Sequence, residues 1–171
     1  AEQQVQGDFT GNNAIGILEV NNASGMTTVD GGNSVEVSQE LILTNGRVRT
    51  SNNDSLVLSQ NASISGYSPT RYINGPFVRD LGATGASDFK VFPVGSGSRY
   101  GLIEITNVDN TDSWKANYFD DDPTVEVDPD FDLSGPDPTI SANEYWGLTS
   151  AGANNAQVRI HWDGKSDVGG Q

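Results

Sequence analysis

Short apolar triplets, each closed by a turn that carries Asn or Gly, restrict what the first half of this chain can fold into. They run Ile17-Leu18-Glu19-Val20, Val35-Glu36-Val37, Leu41-Ile42-Leu43, Arg47-Val48-Arg49, Leu56-Val57-Leu58, Ser63-Ile64-Ser65 and Tyr72-Ile73-Asn74. Asn45-Gly46, Asn52-Asn53-Asp54 and Ser65-Gly66 lie between them. A strand of a few residues, ended by a corner that tolerates left-handed backbone, is what a coil of a parallel β-solenoid requires. A meander would use longer strands at wider spacing, although Asn45-Gly46 is also a strong hairpin signal. Residues 1–80 are therefore predicted to form a short-stranded, parallel β-solenoid-like unit. In it Leu41–Leu43 and Leu56–Leu58 lie in stacked coils. No stretch sustains a 3.6-residue apolar period, so helices should be scarce.

Near residue 80 the strands lengthen. Phe89-Lys90-Val91-Phe92 is expected to end at Pro93, and Leu102–Thr106, Trp114–Phe119 and Gln157–Trp162 alternate apolar with polar residues. Alternation marks sheets with one buried face. Residues 81–171 are predicted to be a β-sandwich-like unit of jelly-roll or immunoglobulin-like type, which makes the whole chain all-β. Its expected core holds Phe92, Ile103, Ile105, Trp162 and at least one of Tyr145 and Trp146. Trp114, Ala116 and Tyr118 share one strand face and should be buried together. The Asn74-Gly75-Pro76 turn should carry the chain from one packing unit to the next. Arg71, Arg79 and Arg99 are expected to pair with acidic loops.

Residues 120–141 form an acidic, Pro-punctuated loop, and no Lys or Arg occurs between Lys115 and Arg159. Asp128, Asp130 and Asp132 offer hard oxygen ligands to Ca²⁺. The pattern departs from an EF-hand, because Gly135 comes too late and the closing Glu is missing. A solvated acidic linker is the competing reading. The formal net charge of −14 argues against nucleic acid or an anionic membrane surface as partner. No apolar run approaches the ~20 residues of a membrane span, so no membrane insertion is expected. The absence of Cys excludes disulfides and thiolate metal sites, and fits an exported bacterial protein.

Catalysis finds little support. The lone His161 falls on the strand face opposite Val158, Ile160 and Trp162, where it reads as a surface residue and not a general base. Gly95–Gly101 lacks a Ser centred in a nucleophile elbow and reads as a tight turn into a strand. A carboxylate pair of glycosidase type would need a cleft that a solvated loop does not supply. No catalytic residue is assigned, and the chain is expected not to be an enzyme. Trp114, Tyr118, Tyr145, Trp146 and Trp162 are candidates for a sugar-stacking platform, with Tyr145 and Trp146 its expected carbohydrate-binding residues, in competition with core packing.

Three stretches carry a resemblance. They are Leu43–Val48 followed by Leu56–Leu58; Tyr72–Arg79 followed by Phe92–Tyr100; and Glu144-Tyr145-Trp146 with Val158–Asp163. Together, over roughly residues 30 to 165, they resemble a module of large secreted proteins and adhesins of Bacteroidota exported by the type IX secretion pathway. The resemblance implies an extracellular or cell-surface location and a multi-module parent, such as a gliding or attachment adhesin. It also implies no catalytic role, with neighbouring modules, and extracellular polysaccharide or another surface, as partners. Asp54-Ser55-Leu56 fits the O-glycosylation pattern that the resemblance brings with it, making Ser55 a candidate glycan attachment site. The chain is then a structural or adhesive module. The alternative is a carbohydrate-binding module, assisted by Ca²⁺, and behind that an accessory domain of a glycoside hydrolase. No signal peptide precedes Ala1, so the chain is expected to be either mature or an excised fragment, and its stop at Gln171 reads as a truncated C-terminal end.

Overall fold

The apolar triplets and alternating segments become strands of two facing sheets. The computed structural model describes residues 3–24, 26–28, 32, 34–121, 143–152 and 154–162. In chain order the first strands are β1 (Gln3–Val5), β2 (Ile15–Asn21), β3 (Met26–Thr28), β4 (Ser34–Asn45) and β5 (Val48–Arg49). Next come β6 (Ser55–Leu58), β7 (Ser63–Ser65), β8 (Ile73–Asn74), β9 (Phe77–Leu81) and β10 (Lys90–Ser96). The last are β11 (Arg99–Thr106), β12 (Asp112–Phe119), β13 (Tyr145–Ser150) and β14 (Gln157–Ile160). Among the described residues there is one 3-10 turn, Gly11–Asn13, and no α-helix. None of them forms a helix long and apolar enough to cross a membrane.

Sheet 1 has the order β1-β3-β5-β8-β10-β11-β14, and sheet 2 the order β13-β12-β9-β6-β4-β2, with β7 also on β4. From β1 to β6 the chain alternates between the sheets, and neighbours in each sheet are parallel. This is a solenoid-like stack of about three coils. Leu56 sits beside Val35 and Leu58 beside Val37 in parallel register, so Asn45-Gly46 is a corner between sheets and not a hairpin. At Gly75 (φ +124°) the chain crosses from β8 to β9, and an added Cβ would lie 2.5 Å from the Thr50 carbonyl oxygen. Only glycine fits that crossing.

Two expectations about strand length need correction. Val35–Val37 and Leu41–Leu43 are not separate short strands but belong to the single twelve-residue β4. The adjacent coil makes two shorter strands instead: β6 pairs the first part of β4 and β7 the second. Between them the chain turns through Ser59–Ala62, where the Ala62 N–H donates to the Ser59 carbonyl. Likewise Pro93 does not end its strand. It lies inside β10 opposite Leu102, while β8 pairs only Val94 and Gly95, so no β8 residue is paired with Pro93 and needs its missing N–H.

The register stacks the buried side chains into columns. In sheet 2, Val35, Leu56, Phe77 and Ala116 are successive neighbours, all fully buried. In sheet 1, Phe92 and Ile103 pair, as do Val94 and Gly101, and Phe77 meets Phe92 edge to face at 5.9 Å across the sheets. Each buried aliphatic or aromatic side chain stabilises by about 1.5–3 kcal/mol relative to exposure. Phe92, Ile103 and Ile105 are core residues, and Trp114, Ala116 and Tyr118 share a buried face, as alternation predicts.

The column Val37, Leu58, Arg79, Trp114 contains a cation. Arg79 is 5% exposed, and it does not pair with an acidic loop as expected. Its Nη1 donates to the Val91 carbonyl at 2.8 Å and its Nη2 to the Ala62 carbonyl at 3.2 Å. Burial pulls its pKa down to about 10.

β10 to β14 run antiparallel but prolong the same two sheets. The clearest departure from expectation is at the end of sheet 1. Val158, Ile160 and Trp162 alternate as a core face should, yet they are 48%, 38% and 63% exposed. Among the described residues β14 is an edge strand whose one ladder is with β11, and all four of its residues are exposed. Alternation records which side of a strand is apolar; it does not record whether a second layer covers that side.

Candidate functional site

The site is built where β14 leaves β11. Gly97-Ser98 closes the β10–β11 hairpin in two residues, and the strand restarts at Arg99. Alternation then buries Gly101, Ile103 and Ile105 against sheet 2, leaving Tyr100, Leu102 and Glu104 on the other face, half-buried. β14 pairs β11 from Thr106 back to Ile103, and the last contact is His161 N–H to the Leu102 carbonyl at 3.0 Å. Beyond it lies a cavity of about 290 Å³, lined in part by Ser98, Arg99, Tyr100, Glu144, His161 and Trp162.

Its polar floor is held from behind. Arg99 Nη1 donates to Asp120 at 2.8 Å, and Nη2 lies 3.5 Å from Glu144. Burial alone would lower the Arg99 pKa, but the Asp120 hydrogen bond and the surrounding charges hold it above its usual value. Glu144 is 5% exposed and accepts the Tyr118 hydroxyl at 2.5 Å. Burial first, and then Glu144, push the Tyr118 phenol above its ordinary range. His161 Nε2 and Arg159 Nη1 lie 2.7 and 3.2 Å from the same Glu104 oxygen, and Arg159 stacks on Phe89 at 3.9 Å.

The aromatic walls differ in kind. Tyr100 is half-buried and packs on Tyr72 with ring centroids 5.7 Å apart. Burial raises the Tyr100 phenol well above its usual range. Tyr72 is itself fixed by its hydroxyl bond to the Gly97 carbonyl at 2.8 Å and by Arg47 over its ring. Trp162, in contrast, is solvent-exposed at the rim. A second cavity, of about 390 Å³ beside Arg47, Arg49 and Asn74, has no aromatic side chain among the described residues that line it.

The residues proposed from sequence fall elsewhere. Tyr145 stacks on Phe119 at 4.4 Å and 8°. Its neighbour Trp146 packs edge-on against Tyr118 at 5.3 Å and against the core. Consecutive strand residues take opposite faces, so the two do not share a platform. Ser55 is half-buried at the start of β6, its Oγ 3.0 Å from Ser34 Oγ in the adjacent coil. The preceding Asp54 is buried and accepts from Ser51 and from the Gly32 N–H, fixing a coil corner. Asp128, Asp130 and Asp132 lie outside the described residues. Among the described residues no three His, Cys, Asp or Glu side chains gather as a metal site.

The sequence does not mark Arg99 and Tyr100 as ligand-contacting residues, and it offers Trp162 only as one of five aromatics for a stacking platform. The Gly-Ser pair before Arg99 was the usable signal, since a two-residue hairpin places Arg99 and Tyr100 at a sheet end. Trp162 was assigned to the core by its parity. No family model matches the chain, and no curated protein or solved structure matches it.

Proposed function

We propose that this chain is a non-catalytic structural and adhesive module of a large bacterial cell-surface or secreted adhesin, exported by the type IX pathway. The observation that carries the reading is the strand order. β1 and β2 stand at one end of the two sheets, and β14 and β13 at the other. In sheet 1 six strand spacings of about 4.8 Å separate those ends, so the chain advances about 29 Å from β1 to β14 while it winds. A module that takes the chain in at one end and releases it at the other is suited to a serial stalk. The antiparallel strands β10–β14 act in this reading as a sandwich-like closure of the coil stack. The acidic composition keeps such a stalk soluble and unattracted to anionic surfaces.

Surface labelling tests the reading. Antibodies against the chain should label intact, unpermeabilised cells of the source bacterium, and labelling should vanish when the type IX translocon is deleted. Deleting the module in frame from its parent should weaken attachment without removing the parent from the surface. Retention of the protein inside cells would overturn the proposal.

A further inference from the structure

We propose that the cavity between Tyr100 and Trp162 is a binding site for a neutral glycan, taking one pyranose ring against the exposed indole. The inference concerns different residues from the stalk reading and does not depend on it.

Four observations converge. Trp162 is 63% exposed at the rim of a cavity, whereas Trp114 is 6% exposed in the core. An indole face in water next to a concave wall is suited to the C–H face of a sugar ring, because its apolar body gains burial while its polar edge stays wet. Second, the cavity's volume of about 290 Å³ is near the lower end of small-molecule sites, about 300 Å³, which suits a single ring. Third, its polar groups are pre-set. Arg99 is held by Asp120, and Glu144 by Tyr118 and Arg99. Groups already fixed lose little entropy when they bind vicinal hydroxyls. His161, its Nε2 2.7 Å from Glu104, adds a fixed polar ring to the lining. The site thus offers both donors and acceptors, which is what hydroxyls need.

Fourth, charge selects the ligand. Among the described residues that line the cavity the one Lys or Arg is Arg99, and Asp120 and Glu144 lie against it. The chain as a whole carries −14. A carboxylated or sulfated sugar would bring another anion to carboxylates already there, so a neutral ring is favoured.

The test uses the intact chain with neutral cello-, laminari- and manno-hexaose as probes, and tetragalacturonate as the anionic comparison. Tryptophan fluorescence and calorimetry report binding. At least one neutral hexaose should bind saturably and shift the emission. Trp162→Ala should weaken that binding about tenfold or more, as expected of an aromatic anchor, with the melting temperature held within about 1 °C because the side chain is exposed. His161→Ala, also at an exposed position, should weaken it less and leave the fold intact. The proposal is overturned if no neutral hexaose binds at about 10 mM, well above the millimolar limit of weak sites. It is equally overturned if binding survives Trp162→Ala unchanged, or if tetragalacturonate binds as tightly as the neutral sugars.

Discussion

Gly101 lies in β11 where two aromatics of the facing sheet occupy the volume a side chain would fill. An added Cβ would stand 2.1 Å from Tyr118 Cδ2 and 2.7 Å from Trp146 Nε1. Restoring an ordinary contact of 3.4 Å moves the Tyr118 ring by about 1.3 Å. That ring cannot slide freely, because it is 2% exposed and its hydroxyl is bonded to buried Glu144. Gly101→Ala should therefore cost about 1–3 kcal/mol for overpacking. A further 1–3 kcal/mol, roughly, follows from the displaced hydrogen bond. For a chain of this size each kcal/mol lowers the melting temperature by about 2–4 °C, so a drop of about 5–20 °C is expected. Chemical denaturation of a double-mutant cycle isolates the cause. Tyr118→Ala alone should cost about 3–5 kcal/mol through its cavity. The double variant should be less destabilised than the two losses combined, since the new methyl enters the space the ring leaves. Losses additive within about 0.5 kcal/mol would refute the reasoning.

Phe92→Ala should destabilise by about 3–5 kcal/mol in urea, while Trp162→Ala should stay within about 0.5 kcal/mol; equal losses would contradict their opposite burial. Tyr72, Tyr100 and Tyr118 all have raised folded-state pKa values, in each case mainly through burial. The unfolded chain therefore releases these protons first, and their stabilisation, complete below about pH 10, is lost as pH rises above it. Arg79, depressed to about 10, acts with the opposite sign but is one group against three. Phenolate absorbance should consequently rise together with unfolding, and reversible ionisation of all tyrosines near pH 10 in the folded protein would show the burial to be wrong. Asp112 accepts from Asn154 and from the backbone N–H groups of Gly152 and Ser113, which lower its pKa. Its contribution is present above the unfolded value and fades as pH falls through the folded one. Asp112→Asn should reduce stability at pH 7 and flatten the acid limb of the profile.

How much of this was legible in sequence depends on which contacts each pattern encodes. The triplets Leu41-Ile42-Leu43 and Leu56-Val57-Leu58 announced parallel coils because short strands and αL corners are local properties. The union of two triplets in β4 was not legible, since only the detour of the neighbouring coil separates its partners β6 and β7. The parity of Phe92, Ile103 and Ile105 gave their burial correctly. The same parity failed at Val158, Ile160 and Trp162, because an edge strand keeps its alternation when nothing described lies opposite. The candidate pocket was less visible still. It joins a hairpin end, Arg99-Tyr100, to Glu144 and Trp162, which are far away in sequence and meet through sheet topology alone. Arg79 gave no sign of burial, since its guanidinium partners are the carbonyls of Ala62 and Val91 and not a carboxylate.

That arginine bears on how a repetitive stack avoids folding out of phase. Coils whose inward positions are nearly all aliphatic can be laid over one another in several alignments of similar energy, and a shift by one coil costs little in apolar contact alone. One inward cation removes that degeneracy. In the native alignment the Val91 and Ala62 carbonyls meet the two Nη atoms of the guanidinium. A shifted alignment takes both of these acceptors away, and a buried cation left without them costs several kcal/mol. Arg79 thus serves as an indexing pin, adding little net stability while making the misaligned alternatives expensive.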